Sequence, residues 1–172
     1  AGGVYTAQDG DVLTGSTNGT VTIKDGASIT LSDVDINGGI VCEGTATIIL
    51  VGENNVTGLQ NMAGIQVGGS GTTLTIKGNG ALTAKGGDDG AGIGTGCVEL
   101  GGSVTLGNIT IEGGSITATG GYSGAGIGTG SVLIGGSVTL SNITIEGGSI
   151  TATGGMFGAG SGTGSVERGE VT

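Results

Sequence analysis

The chain has 172 residues, of which 45 are glycine and none is proline, and its 14 acidic and four basic residues leave a net charge of −10. Such a charge repels nucleic-acid phosphates and anionic lipid, so we expect no nucleic-acid partner and no binding to a membrane surface. Collagen is excluded because it requires proline and a glycine at every third position, and no apolar run approaches the roughly 20 residues that membrane insertion requires.

The first part of the chain predicts a lead-in followed by short strands. Residues 1–15 show no regular pattern and are interpreted as a lead-in or cap. Residues 16–62 are interpreted as irregular first coils, because short runs alternate apolar and polar side chains as a strand with one buried face does. These runs lie at residues 21–23, 29–31 and 34–36, with a longer apolar run at 45–51 and a polar corner at 52–61.

Residues 63–172 are dominated by an internal repeat, whose last unit is incomplete. Residues 90–123 and 124–157 are two copies of one unit that differ at only six positions, and a third copy begins at Gly158 and stops partway. A fixed period of this length predicts stacked units that bury their apolar sides against each other. Residues 97–103 have no counterpart in the preceding unit, so we expect them to bulge from one corner.

Placing equivalent residues above one another gives the predicted fold. The chain is expected to be all-β, a right-handed parallel β-helix (β-solenoid) with coils of up to about 34 residues, forming a single domain over residues 1–172. Six apolar residues should then form internal columns with their repeats: Val104, Leu106, Ile109, Ile111, Ile116 and Ala118 beneath Val138, Leu140, Ile143, Ile145, Ile150 and Ala152.

The sequence offers little catalytic chemistry, and we expect no enzyme. It contains no histidine, which removes the usual general base and any serine–histidine or cysteine–histidine nucleophile. The pairs Asp33/Asp35 and Asp88/Asp89 are candidate metal ligands, since calcium binds carboxylate and carbonyl oxygens at loops. Solvated surface charge is the other interpretation, so calcium is possible and no cofactor is required.

Outward threonines are the candidate binding residues. Thr117 and Thr119 should lie beneath Thr151 and Thr153, which makes a flat array of hydroxyl groups, and Tyr122 is one of only three aromatic residues. The alternative is ordinary strand propensity, because threonine suits an exposed pleated surface.

The two cysteines, Cys42 and Cys97, leave two interpretations open. They are either small buried or free thiols, or they form one disulfide. Serine replaces Cys97 in both later copies, so that position does not require sulfur. The chain begins Ala-Gly-Gly, like a mature protein after signal cleavage, and we expect a secreted or cell-surface protein.

The repeated sequence pattern resembles those of known families. The tandem Gly-Ala-Gly-Ile-Gly-Thr-Gly and Ile-Thr-Ile-Glu-Gly-Gly-Ser-Ile-Thr-Ala-Thr-Gly-Gly segments resemble the glycine-rich repeats of large bacterial surface proteins. Residues 13–38 and 74–87 are similar to a bacterial carbohydrate-binding β-helix family with affinity for pectic polysaccharides. That resemblance implies a right-handed parallel β-helix without catalysis and with calcium at its surface. At a net charge of −10, binding an anionic polysaccharide would require bridging calcium.

Two functions therefore remain open. The first is a non-catalytic secreted or cell-surface module that binds carbohydrate or a surface in adhesion. The second is a structural subunit of an extracellular fibre, in which copies of the chain stack end to end. The second interpretation arises because residues 169–172 align with the start of a strand and break off inside it, which would expose an edge that another coil can cover.

Overall fold

The structure is a computed structural model that describes residues 3–168 and 170–172. In these ranges the chain is all-β, every pairing between strands is parallel, and it folds into the predicted right-handed parallel β-helix. The ranges contain no helix, and thus none that could cross a membrane.

The first sheet runs the whole length of the helix and takes one short strand from each coil. Its alternating apolar residues, such as Val21 and Ile23, face the interior. Its strands are β1 (Tyr5–Ala7), β3 (Val21–Ile23), β5 (Ile40–Cys42), β8 (Ile65–Gln66), β11 (Ile93–Gly94), β15 (Ile127–Gly128) and β19 (Ser161–Gly162).

The second sheet has two wings that meet at one long strand. That strand, β4 (Ser28–Ile36), pairs with β2 (Val12–Thr17) on one side, and on the other its two halves pair with separate strands. The first wing continues from the first half of β4 through β6 (Thr45–Val51), β9 (Thr73–Gly78), β13 (Asn108–Ile111) and β17 (Ile143–Ile145). The second wing continues from its other half through β7 (Glu53–Thr57), β10 (Ala81–Lys85), β14 (Ser115–Thr119) and β18 (Ser149–Thr153).

The third sheet begins where the predicted insertion ends. Residues 97–103 do not merely bulge, because they lead into β12 (Ser103–Thr105), which pairs with β16 (Ser137–Thr139) and then β20 (Glu170–Val171). Val98, Val132 and Val138 form a small core of their own beneath this sheet. The insertion therefore carries enough apolar surface to fold as an added layer.

The coils lengthen along the chain. The register of the first sheet places residues 5, 21, 40, 65, 93, 127 and 161 in one column, so successive coils advance by 16, 19, 25, 28, 34 and 34 residues. In the first two coils one strand, β2 or β4, crosses both wings. Later coils have one strand for each wing, and the third sheet adds further length. The helix is therefore narrow at its first coil and wide at its last.

The main core contains most of the predicted aliphatic columns. Val104 and Val138 lie instead in the small core of the third sheet, and Leu140 is 37% exposed. Ile109 pairs with Ile143 and Ile111 with Ile145, and both residues of the lower coil are fully buried. Each such burial contributes about 1.5–3 kcal/mol. In the upper coil Ile145 is 54% exposed, because no further strand of the described chain lies above β17.

Two expectations about the early coils were wrong. Residues 3–15 of the expected lead-in contain β1 and the start of β2, so they belong to the first coil, while residues 1–2 lie outside the described residues. The expected polar corner at 52–61 contains β7, whose inward residues include Asn54, and a polar side chain facing inward hides the strand pattern. The runs at 29–31 and 34–36 form one strand, which passes through Asp33 at a φ of +55°.

The last strand follows the expected alignment. Glu170 and Val171 pair with Ser137 and Val138, although Gly169 lies outside the described residues. The turn before this strand is one residue shorter than its counterpart in the preceding coil. Arg168 in that turn has a φ of +48°, a conformation that side chains rarely adopt.

Candidate functional site

The predicted threonine array lies on the outer surface of the second wing. Thr117 pairs with Thr151 and Thr119 with Thr153, as expected from the repeat. Thr83 continues the first of these columns in the coil below. The second column is interrupted in that coil, where its residue is Lys85. The array is therefore continuous over two coils and half present in a third.

The strand geometry sets the dimensions of this array. Adjacent parallel strands lie about 4.8 Å apart, and alternate residues of one strand lie about 6.6 Å apart. Each threonine hydroxyl can donate one hydrogen bond and accept others. The surface is flat and uncharged apart from Lys85, and it presents hydroxyl groups at regular intervals. Such a surface can exchange hydrogen bonds at regular intervals along two directions.

An exposed aromatic pair lies at the end of the second wing. Tyr122 follows β14 by three residues, and Phe157 follows β18 by four. The two ring centroids are 5.3 Å apart and the ring planes are inclined at 81°, an edge-to-face contact. Tyr122 is 55% exposed and Phe157 is 59% exposed. We call this region, together with the exposed Leu59 and Met156, the aromatic corner.

Glycines explain why these large side chains point outward. A Cβ at Gly121 would collide with the carbonyl group of Gly87, and one at Gly155 with the carbonyl group of Gly121. The loops therefore stack backbone on backbone, with the amide of Phe157 donating to the carbonyl oxygen of Tyr122 at 3.2 Å. No interior space remains for the side chains that follow the glycines, so they project into solvent.

Asp88 and Asp89 lie at the aromatic corner, one coil below the aromatic pair. The amide of Ser123 donates to the carbonyl oxygen of Asp88 at 3.1 Å, which places Asp88 beneath Tyr122. Asp88 is exposed and Asp89 half-buried. The structure thus brings two candidate metal residues and one candidate binding residue to the same corner.

Asp33 and Asp35 are placed differently. The Oδ1 atom of Asp33 accepts a hydrogen bond from the amide of Glu53 at 2.9 Å, so its carboxylate joins two coils. Asp35 faces outward on the second half of β4 and pairs with Asn55 of the next coil. Among residues 3–168 and 170–172, no three acidic, cysteine or histidine side chains are grouped as a metal ion would require.

Two other aspartates hold the early coils together in the same way. Oδ1 of Asp9 accepts a hydrogen bond from the amide of Ser28, and Oδ1 of Asp25 accepts one from the amide of Thr45. These carboxylates connect backbone groups of neighbouring coils. At the narrow end, Asp11 accepts hydrogen bonds from the amide of Gln8 and from the hydroxyl of Tyr5. Both hydrogen bonds lower the pKa of Asp11, and the bond from Gln8 has the larger effect.

The two cysteines are free, and the disulfide considered from the sequence does not form. Cys42 lies in the third coil and Cys97 follows β11 of the fifth, so about two strand spacings separate them, or roughly 10 Å. A disulfide requires Cα atoms within about 7 Å. Burial raises the pKa of the Cys42 thiol to about 12, and the hydroxyl of Ser131 donates to Sγ of Cys97 at 3.2 Å.

Sequence reasoning missed two parts of the surface. It overlooked Phe157, although two of the six differences between the copies fall together at positions 122–123 and 156–157, which is a signal for a variable surface. It placed Asn108 and Asn142 in one column but did not single out the threonines of the first wing, which continue that column with Thr-x-Thr segments in the coils below. The outward residues of this wing are Thr45, Thr47, Thr73, Thr75, Asn108, Thr110, Asn142 and Thr144.

Comparison with known proteins supports the fold. Three segments, residues 74–97, 109–131 and 143–165, match a family described as beta helix repeat. Each segment runs from a first-wing strand through the second wing to the first sheet, so each includes one loop of the aromatic corner. No match to a curated protein or to a solved structure was found.

Proposed function

We propose that this chain, a β-solenoid built of beta helix repeats, is a non-catalytic module, secreted or on the cell surface, that binds carbohydrate in adhesion. The observation that carries the proposal is the exposed pair of Tyr122 and Phe157 beside the hydroxyl columns of the second wing. Exposed aromatic side chains pointing into solvent have no role in the core, and they are typical anchors for a ligand.

The chemistry of this surface suits a polysaccharide. A pyranose ring has apolar C–H faces that can pack against an aromatic ring, and hydroxyl groups that can exchange hydrogen bonds with threonine. The ring planes at 81° form a notch, in which one ring can lie beneath a sugar and the other beside it. A flat array suits a polymer chain better than a small molecule, which needs a concave pocket.

The non-catalytic part of the proposal rests on the available side chains. The sequence contains no histidine, and the Asp33 carboxylate is engaged by the amide of Glu53. Asp88 is exposed and Asp89 half-buried at an open corner, and not in the enclosed cleft in which a substrate is usually held for reaction.

Binding to insoluble and arrayed polysaccharides, with added calcium or with chelator, tests the proposal. We expect the native chain to bind, and the double variant Tyr122→Ala/Phe157→Ala to lose at least about tenfold in affinity, because it loses two aromatic anchors. The matched control is Leu100→Ala/Ile134→Ala, which removes two exposed apolar side chains from the turns of the third sheet. The absence of binding to any glycan in either condition, or equal losses in the two double variants, would contradict the proposal.

The fibre subunit is the alternative. It is favoured by the outer coil, where Ile145 is exposed and the edges of β17 and β18 carry no partner strand within the described residues. The taper opposes it, since head-to-tail stacking would place a 34-residue coil on a 16-residue one. Filaments in electron micrographs of the concentrated chain would favour assembly, and a monomer at all concentrations would eliminate it.

A further inference from the structure

The charges around the aromatic corner are unevenly distributed. Asp88 and Asp89 stack directly below the loop of Tyr122, and both lie within the turn that ends the second wing of their coil. A carboxylate can only accept hydrogen bonds. The corner therefore offers negative charge and aromatic faces to the same ligand.

The basic residues lie elsewhere, with one exception. Lys24 forms an ion pair with Glu43 at 3.4 Å, and Lys77 lies on the first wing. Arg168 lies in the turn of the third sheet. Only Lys85 lies near the aromatic corner, because it is the last residue of β10 and precedes Asp88 by three positions. The corner is thus acidic on balance, within a chain whose net charge is −10.

From this charge complementarity we propose that the aromatic corner binds a glycan that carries free ammonium groups, a polymer of 2-amino sugars without N-acetylation. The inference rests on the proposed carbohydrate binding and specifies its ligand class. An ammonium group is attracted to the face of an aromatic ring and to a carboxylate, and here the residues that carry them lie in loops of adjacent coils joined by backbone hydrogen bonds. An anionic glycan would be repelled by Asp88 and Asp89.

The geometry permits both contacts at once. Because Tyr122 and Phe157 meet edge to face, at least one ring face stays open to solvent. A sugar packed on that face would lie above the loop of Asp88 and Asp89, whose backbone runs about 4.8 Å below that of the Tyr122 loop. The remaining hydroxyl groups of the polymer would lie along Thr119 and Thr153.

Calorimetric titration with two soluble probes tests the inference: a hexamer of glucosamine and a hexamer of N-acetylglucosamine. At low salt we expect the glucosamine hexamer to bind about tenfold more tightly, from one cation–aromatic contact and one exposed ion pair. The preference should shrink as salt is raised, because exposed charges are screened.

Three variants separate the local charge from the net charge. Asp88→Asn/Asp89→Asn should remove the preference for the glucosamine hexamer, and Lys85→Gln should increase it. Glu112→Gln/Glu146→Gln changes the net charge by the same amount on the first wing and should leave the preference unchanged.

The outcomes distinguish this inference from the proposed function. Equal binding of the two hexamers, or tighter binding of the acetylated one, overturns the ammonium inference and leaves carbohydrate binding in place. An equal effect of the two double variants also overturns it, because bulk charge would then explain the preference. Failure to bind either hexamer also overturns the ammonium inference. The proposed carbohydrate binding is then tested separately, by the measurements on insoluble and arrayed polysaccharides.

Discussion

Asn54 shows how one polar side chain can organise a corner of the β-helix. It is only 2% exposed, and it takes the inward position that Leu82 takes in the next coil. Its Oδ1 accepts from the amide of Val34, and its Nδ2 donates to the carbonyl oxygens of Val51 and Ala81. These groups lie where the single strand β4 gives way to β6 and β7. The amide side chain therefore satisfies backbone groups that the change in strand number leaves without partners.

Substitution of Asn54 tests this role. Asn54→Leu should lower the free energy of unfolding by about 1–3 kcal/mol, because buried backbone groups lose their partners even though leucine is more apolar. Asn55→Leu makes the same chemical change on the outward face and should stay within about 0.5 kcal/mol of the native chain. Urea unfolding of both variants measures the difference. Equal stabilities would show that the three hydrogen bonds contribute nothing.

The column of glycines in the first sheet shows how closely strands pack at the element scale. Gly94 and Gly128 both have φ near +140°, and a Cβ on either would collide with the carbonyl oxygen of the next glycine in the column. The residue after each glycine is a buried threonine, and Oγ1 of Thr95 accepts from the amide of Gly130 at 3.3 Å. The strand pairing of the first sheet and the hydrogen bond to the buried threonine together link each wide coil to the next.

Two glycine substitutions separate backbone strain from collision. Gly128 and Gly162 have φ values of +140° and +127°, but a Cβ at Gly162 would meet only one ordinary contact, at 3.8 Å. Gly162→Ala should cost about 1–3 kcal/mol through strain alone. Gly128→Ala should cost about 1–3 kcal/mol more, since the coils above and below must move apart. Thermal unfolding measures both, and similar losses would mean that the column is not closely packed.

Regular elements were predictable from the sequence in the region where the 34-residue unit is duplicated. The pairing of Ile109 with Ile143 follows from alignment alone, because identical units stack in register. The first coils could not be predicted in this way, since each has a different length and Asn54 breaks the apolar alternation of β7. The contact of Tyr122 with Phe157 was not predictable either, because it arises from loops one coil apart whose residues differ between the copies.

On the scale of the whole molecule, coil stacking depends on the strands and leaves the loop surface free to vary. Strand residues recur from coil to coil, so one outward threonine in the repeat gives a column of threonines on the surface. This column requires no change in the interior packing. Loop residues at the aromatic corner change between coils, as from Tyr122 to Met156, because their backbone hydrogen bonds and glycines hold the loop whatever side chain projects. The surface at this corner can therefore vary in chemistry while the helix below it stays the same.

Stacking should also supply most of the stability, and one matched pair of residues tests this. Ile111 and Ile145 occupy the same place in the same local sequence, Ile-Thr-Ile-Glu-Gly-Gly, but Ile111 is fully buried and Ile145 is 54% exposed. In the 172-residue chain, Ile111→Ala should lower the free energy of unfolding by about 2–5 kcal/mol through lost burial and a cavity. Ile145→Ala should cost less than about 1 kcal/mol, since its side chain is half in solvent already. Denaturant unfolding of both variants measures the difference. Equal costs would mean that local strand sequence, and not the coil above, determines how much each isoleucine stabilises the helix.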